Sequence, residues 1–364
     1  MIRLTIPDVG DDELAAIREV FRTGMLVQGE QVAALEAGVA RRVGTAHAVA
    51  CSSGTAALHL ACLALGIGPG DEVIVPAFTY PATANVVAAC GARPVLADVR
   101  PDTFAIDPAD VAAKLTAHTK ALVPVHPFGL AADMDPLAKL AEAHGLTVIE
   151  DAACALGASY HGTACGAMGH MGCFSFHPRK AITTAEGGMV TTDDAELADR
   201  LRVLRNHGMT RREGRVDFVA PGLNYRMSDV HGAIGVVQLG KLDAAIEARR
   251  RLATAYTAAL ADLPWLTLPA EPEGQCHIYQ SYVVAVAEDV CRDAVMAHLH
   301  DHDVQCTIGT YALHLLDYYA RTGGYRPDDF PVARALFERT ITLPIYRGMP
   351  DDAVARVAEL LHDV

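Results

Sequence analysis

Lys180 lies in the run Phe174-Ser175-Phe176-His177-Pro178-Arg179-Lys180-Ala181-Ile182-Thr183-Thr184-Ala185-Glu186-Gly187-Gly188, just after an apolar, strand-like segment. It is one of five lysines, against twenty-five arginines. An amine beside a buried strand loses hydration, which disfavours the ammonium and frees the nitrogen as a nucleophile. Such an amine is what a Schiff base to an aldehyde requires. The competing reading is a surface lysine that happens to follow a strand.

Asp151 lies 29 positions upstream, where the short apolar run Leu146-Thr147-Val148-Ile149 ends on Glu150-Asp151 and small residues follow. Reacting groups in open α/β sheets gather at the carboxyl ends of strands. A carboxylate there could keep a pyridine nitrogen protonated, the partner that pyridoxal phosphate needs as an electron sink. Asp151 could equally cap a following helix. A third cluster is Cys51-Ser52-Ser53-Gly54-Thr55, a strand end passing into the alanine- and leucine-rich stretch from Ala56. Free amides at a helix start, with small hydroxyls beside them, make a phosphate seat. The same residues also make an ordinary cap. Ser175 adds a hydroxyl five residues before Lys180.

Together these residues resemble the DegT/DnrJ/EryC1/StrS family of pyridoxal-phosphate sugar aminotransferases. The resemblance begins at Gly24-Met25-Leu26-Val27-Gln28-Gly29-Glu30 and continues through Pro76-Ala77-Phe78-Thr79-Tyr80-Pro81 and His126-Pro127-Phe128-Gly129. It then takes in Glu150-Asp151-Ala152-Ala153, the Lys180 run, Gly222-Leu223-Asn224-Tyr225-Arg226-Met227-Ser228-Asp229, and the Tyr279, His314 and Leu343-Pro344 region. It implies that Lys180 forms the Schiff base with the cofactor and shuttles protons, and that Asp151 pairs with the pyridine nitrogen. It places Gly54, Thr55 and Ser175 on the phosphate and stacks Tyr80 on the ring; on the residues alone, Tyr80 reads as a core tyrosine. Asn224 would reach the phosphate of a neighbouring subunit's cofactor, making a homodimer with shared active sites. The implied donor is L-glutamate or L-glutamine, and the acceptor is a keto-sugar, often nucleotide-linked, or a keto-cyclitol. A related dehydratase branch carries histidine at the lysine position, which disfavours that activity here.

Three departures stand out. Cys154 occupies a position near the cofactor's ring hydroxyl where the family commonly has Gln or His. Ala185 replaces a glycine, and is strained if that glycine had positive φ. Val230-His231-Gly232-Ala233 stands where Gln-Ala-Ala is more usual, with His231 expected to be a local packing or hydrogen-bonding variation.

The elements that must position these groups alternate. Strands are expected near Ala48–Cys51, Glu72–Val75, Pro94–Ala97, Ala121–Val125 and Thr147–Glu150, with Cys173–Phe176 and Gly188–Thr192 extending the sheet. Between them the periodicity gives helices near Thr55–Leu65, Pro81–Ala89, Pro108–Leu115 and Asp133–His144, and then one near Ala195–Asn206. This is an α/β pattern with a mostly parallel sheet and helices on both faces. It agrees with the fold type I architecture the resemblance implies. Helices are also expected over Asp11–Thr23, where Leu14, Ile17, Val20 and Phe21 share a face, and over Gln31–Arg42. Gly24 stops the first of them. Residues 1–245 are expected to form an N-terminal arm and large cofactor-binding domain. Residues 246–364 would supply a connecting helix, broken or continuous, and a smaller α+β lobe. That lobe has a strand at Ile278–Val286 and helices at Asp289–His302 and Asp351–Leu361. The resemblance places specificity in loops around the site, including the 208–220 segment and the His314 region, with Tyr311 and His314 as either pocket or small-lobe residues.

Composition excludes other classes. At 364 residues and 51% apolar content the chain can bury a large core in two lobes. Its net charge is −14, with no basic run, which argues against nucleic acid. Nine scattered cysteines form no Cys-x-x-Cys pair and read as core residues in a reducing compartment. His298, His300 and His302 lack metal-ligand spacing, so no metal is expected. Without a signal-peptide pattern or an apolar run of about 20 residues, a cytoplasmic enzyme with no membrane association is expected. The arginine- and alanine-rich composition fits a GC-rich genome and a place in secondary metabolism.

Overall fold

The computed structural model describes every residue from Met1 to Val364. Its centre is a seven-stranded sheet. In chain order the strands are β1 (His47–Cys51), β2 (Glu72–Pro76), β3 (Arg93–Ala97), β4 (Thr119–Leu122), β5 (Thr147–Asp151), β6 (Met171–Ser175) and β7 (Gly188–Thr192). Their spatial order is β1-β7-β6-β5-β4-β2-β3. Only β7 runs against the rest, pairing antiparallel with both β1 and β6. The apolar runs explain this burial: every residue of β2 and β7 is buried, as expected when helices cover both faces. Leu58, Ala61 and Val87 fill one face and Leu35, Leu137 and Ile106 the other.

The helices are set by their ends. Asp11–Thr23 and Glu30–Val43 stop at Gly24 and Gly44, both left-handed, and Ser53 caps Gly54–Ala64. Asp229 ties two distant motifs together. Its carboxylate accepts from the Gly29, Gln31 and Val32 amides at 2.9, 3.2 and 2.9 Å, capping the second helix from 200 residues away.

The structure sharpens or corrects four expectations. The first helix buries Val20, but Leu14 and Phe21 face out at 58% and 61% exposure, so its apolar stripe is not spent within the chain. The connecting helix is unbroken over 32 residues, Asp229–Leu260. The 208–220 segment is a hairpin, Met209–Arg212 against Arg215–Phe218. The strand expected at Ile278–Val286 is only Tyr282–Val286. Before it, Tyr279 turns to φ 47, while the Ile278 and Ser281 amides bond to the Gly129 and Phe128 carbonyls at 3.0 and 3.2 Å.

A second, four-stranded sheet joins Leu266–Thr267, Tyr282–Val286, Thr340–Leu343 and Thr307–Ile308. It packs with Arg292–Asp301, Ala353–His362 and the end of the long helix around Tyr256, Leu299 and Val357. His298 and His302 come together on one helix side, ring centroids 4.5 Å apart, while His300 turns to Cys306. No helix is long and apolar enough to cross a membrane.

Candidate active site

Three strand ends meet a helix start. Asp151 ends β5 and Ser175 ends the adjacent parallel strand β6, with Asp151 in register with Cys173. One strand further, Gly188 pairs with both Ser175 and Cys51. A Cβ on Gly188 would lie 2.2 Å from the Ser53 carbonyl oxygen. A Cβ on Gly54 would lie 2.6 Å from that of Ser175. Only glycine lets the helix start at Gly54 press against the Ser175 hydroxyl. Ser53 caps the Ala56 amide at 3.1 Å, and Thr55 stands exposed on the first turn. This brings Gly54, Thr55 and Ser175 to one place, where first-turn amides have no intrahelical partner.

Asp151 is 5% exposed and has no cationic partner among the ion pairs of the chain. Its carboxylate accepts only from the Thr83 hydroxyl at 2.7 Å and the Ala153 amide at 3.2 Å. A buried carboxylate without a cation is costly, a cost that a positive group from outside the chain would offset. Its neighbour Glu150 points to the other face of β5 and is saturated. Glu150 accepts from the Gly166, Met168 and Gly169 amides at 2.7, 2.7 and 2.6 Å, and from His126 at 2.8 Å. His126 Nδ1 accepts from the Ala132 amide at 3.0 Å, which leaves Nε2 as the donor to Glu150. The two adjacent acids therefore divide into one saturated by structural bonds and one with only two donors and no cation.

Lys180 is half-buried at the tip of the loop joining β6 to β7. Its Nζ donates to Cys154 Sγ at 3.0 Å and makes no ion pair. Cys154 is itself half-buried, on the turn just after Asp151. Tyr80 is 66% exposed, so it is not a core tyrosine. Its ring meets that of Tyr311 edge-on at 6.2 Å because the short strand Tyr311–Ala312 pairs with Phe78–Thr79. His314 is buried against Phe330, and burial pushes its pKa down; it belongs to the packing and not to an open pocket. Asn224 is exposed, and its side chain makes no hydrogen bond within the chain. Its neighbour Tyr225 takes the Ser52 amide on its carbonyl at 2.9 Å, beside the helix-start cluster. His231 bonds locally to Ser228 at 3.2 Å. Ala185 does adopt the left-handed conformation, φ 68, on an exposed turn.

Sequence reasoning missed Thr83, which holds the Asp151 carboxylate. The signal available was its place in the run Tyr80-Pro81-Ala82-Thr83, on the first turn of a helix. It also missed two glutamines that touch the lysine loop, treated below.

The chain belongs to the DegT/DnrJ/EryC1/StrS aminotransferase family, whose sequence pattern matches residues 7–362. It is 38% identical over 373 residues to the spore coat polysaccharide biosynthesis protein SpsC of Bacillus subtilis (strain 168), covering 99% of this chain and 96% of that one. The crystal structure of the aminotransferase TlmJ from Streptoalloteichus hindustanus superposes with a TM-score of 0.94 at 36% identity, covering 100% of this chain and 98% of that one. Spr1654 of Streptococcus pneumoniae, in its pyridoxamine phosphate form, gives a TM-score of 0.94 at 29% identity, covering 99% of this chain and 98% of that one. The protein is thus a pyridoxal-phosphate-dependent aminotransferase with the fold the sequence implied. The residues fit the cofactor on their own chemistry: a buried carboxylate lacking a cation, an amine without an ion pair, and a helix start whose Gly54 packs directly against Ser175 beside Thr55.

Proposed function

We propose that this chain moves an amino group from L-glutamate or L-glutamine to a keto-sugar, one carried on a nucleotide. The observation that carries the reading is a cation-free buried carboxylate, Asp151, at the end of β5, with the Lys180 amine, which makes no ion pair, held on Cys154 of the turn that follows it. The name of the relative SpsC, a spore coat polysaccharide biosynthesis protein, supports a sugar as the acceptor.

When bound, pyridoxal phosphate supplies the electron sink and the carbon that carries nitrogen between the two half-reactions. Gly54, Thr55 and Ser175 would hold its phosphate, through the free amides of the helix start and two hydroxyls. Asp151 would keep the proton on its ring nitrogen, and Thr83 aims the carboxylate. Tyr80, exposed beside the cluster, would cover the ring face, and Cys154 would stand near the ring hydroxyl. Lys180 would hold the cofactor covalently, its Nζ replacing the aldehyde oxygen, which would leave as water. Once freed by the donor amine, Lys180 Nζ would take the proton from the donor Cα and deliver it to the carbon on the other side of the transferred nitrogen, as general base and then acid.

Asn224, exposed and without a partner, would reach the cofactor phosphate of a second copy of the chain. Exposed Met25, Leu26, Val27, Phe218 and Leu223 support such a homodimer, because an isolated chain gains nothing by showing that apolar surface to water. Lys180→Ala tests the reading: the protein should fold, yet lose both covalent attachment of the cofactor and turnover. An unaltered visible band in that variant would refute it.

A further inference from the structure

Two glutamine side chains touch the lysine loop, one on each side of Lys180. Gln280 Nε2 donates to the Arg179 carbonyl at 2.7 Å, one peptide before the lysine. Gln238 Oε1 accepts from the Thr183 amide at 3.2 Å, three residues after it. Both glutamines are buried, at 8% and 3% exposure, where an unpaired carboxamide would be costly.

Neither carboxamide can easily follow the loop if it moves. Gln238 Nε2 is committed to the Asp8 carbonyl at 2.6 Å and to Glu13 Oε1 at 2.8 Å. Glu13 is held in turn by Lys241 at 2.7 Å. That assignment leaves only the carboxamide oxygen for Thr183. Gln280 sits in the segment whose Ile278 and Ser281 amides are fixed on the Gly129 and Phe128 carbonyls. The other backbone bonds of the lysine loop are internal: Lys180 amide to His177 carbonyl at 2.8 Å, and Thr184 amide to Phe176 carbonyl at 3.0 Å. The two glutamines therefore anchor the loop to different parts of the molecule, one to the long helix and one to the segment leading into the second sheet.

We propose that Gln280 and Gln238 are positioning residues that fix the Arg179 and Thr183 peptides and so keep the Lys180 amine in register with Cys154 and Asp151. This rests on Lys180 being the reactive amine. Near-attack geometry is sensitive to small misplacements, so a loosened loop should slow proton transfer more than it weakens donor binding.

Hydrogen exchange of the Lys180 and Thr184 amides in cofactor-free protein tests the clamp. Gln280→Met keeps the length of the side chain and removes the donor. Both amides should exchange about ten-fold faster than in wild type. In the loaded enzyme, kcat for the donor half-reaction should fall by a similar factor with KM unchanged. Gln280→His restores an N–H donor and should recover both. Gln280→Glu provides a second variant if the methionine protein folds poorly. Its protection should return as pH falls and the carboxyl gains a proton to donate. Wild-type protection in folded Gln280→Met, or in Gln280→Glu at neutral pH, would overturn the clamp while leaving the role of Lys180 standing. A cofactor band independent of Lys180 would overturn that role and leave the exchange result intact.

Discussion

Lys180 Nζ and Cys154 Sγ stand 3.0 Å apart, linking the loop after β6 to the turn after β5. Cys154 lies three residues beyond Asp151, so one short turn carries both the carboxylate and the group that meets the amine. The contact puts a thiol directly beside the amine proposed to react, and its consequences can be measured.

Alkylating Cys154 with iodoacetamide in cofactor-free protein should block cofactor attachment, because the added group fills the space beside Nζ. Cys154→Ser should still attach the cofactor and should resist the reagent. Exposed Cys291 will also react, without effect. Equal inactivation of wild type and Cys154→Ser, read by the visible band, would contradict the assignment.

Thr83→Val removes one of the two donors to Asp151 at nearly constant volume. A hydrogen bond to a charged group contributes about 1.5–3 kcal/mol, which corresponds to roughly ten-fold or more in rate. The kcat of the donor half-reaction should fall by that order with the fold retained. Unchanged kcat would show that Thr83 does not matter to the carboxylate.

Ala185→Gly should stabilise the protein. Alanine at φ 68 carries left-handed strain of about 1–2 kcal/mol, partly offset by the greater unfolded-state entropy of glycine. A net gain of about 0.5–1 kcal/mol should raise the denaturant midpoint with no change in m. A lower midpoint would mean that the turn is not strained.

Acid sensitivity should centre on His277. Burial pushes its pKa down to about 4. The unfolded chain binds this proton near pH 6.5 and the folded chain only near 4, so stability is full above 6.5 and is lost as pH falls between those values. The loss should approach about 3 kcal/mol at the acid end of that window. His277 precedes the Ile278–Ser281 segment that carries Gln280, so loosening should reach the lysine loop. The pH dependence of the unfolding midpoint should flatten in His277→Gln; an unchanged slope would point to other groups.

The proposed sharing of sites between two copies of the chain predicts complementation. Lys180→Ala and Asn224→Ala homodimers should both be impaired. After the two are mixed and re-associated, half the dimers hold one intact site, returning roughly a quarter of wild-type activity. No recovery would mean that each chain completes its own site.

The strand-end chemistry was legible because apolar runs ending on Asp151, Ser175 and Cys51 announce where parallel strands stop. The lysine loop, the glycine-capped helices and the alternation of strand and helix follow from local signals of the same kind. Contacts across the fold were not legible. Gln238 and Gln280 reach the loop across 55 and 101 positions, and a glutamine carries no local mark of what it will touch. Periodicity identified the first helix but not what its stripe meets, since Leu14 and Phe21 stay exposed. The hairpin turn at Glu213-Gly214, both at positive φ, was missed because Glu replaces the Asn or Asp that usually signals it.

The most direct test of the central claim is the visible spectrum of wild-type and Lys180→Ala protein with pyridoxal phosphate, before and after L-glutamate or L-glutamine. Wild type should develop a band that bleaches with one of these donors, and Lys180→Ala should show only free cofactor. The same band and the same bleaching in Lys180→Ala would contradict the account.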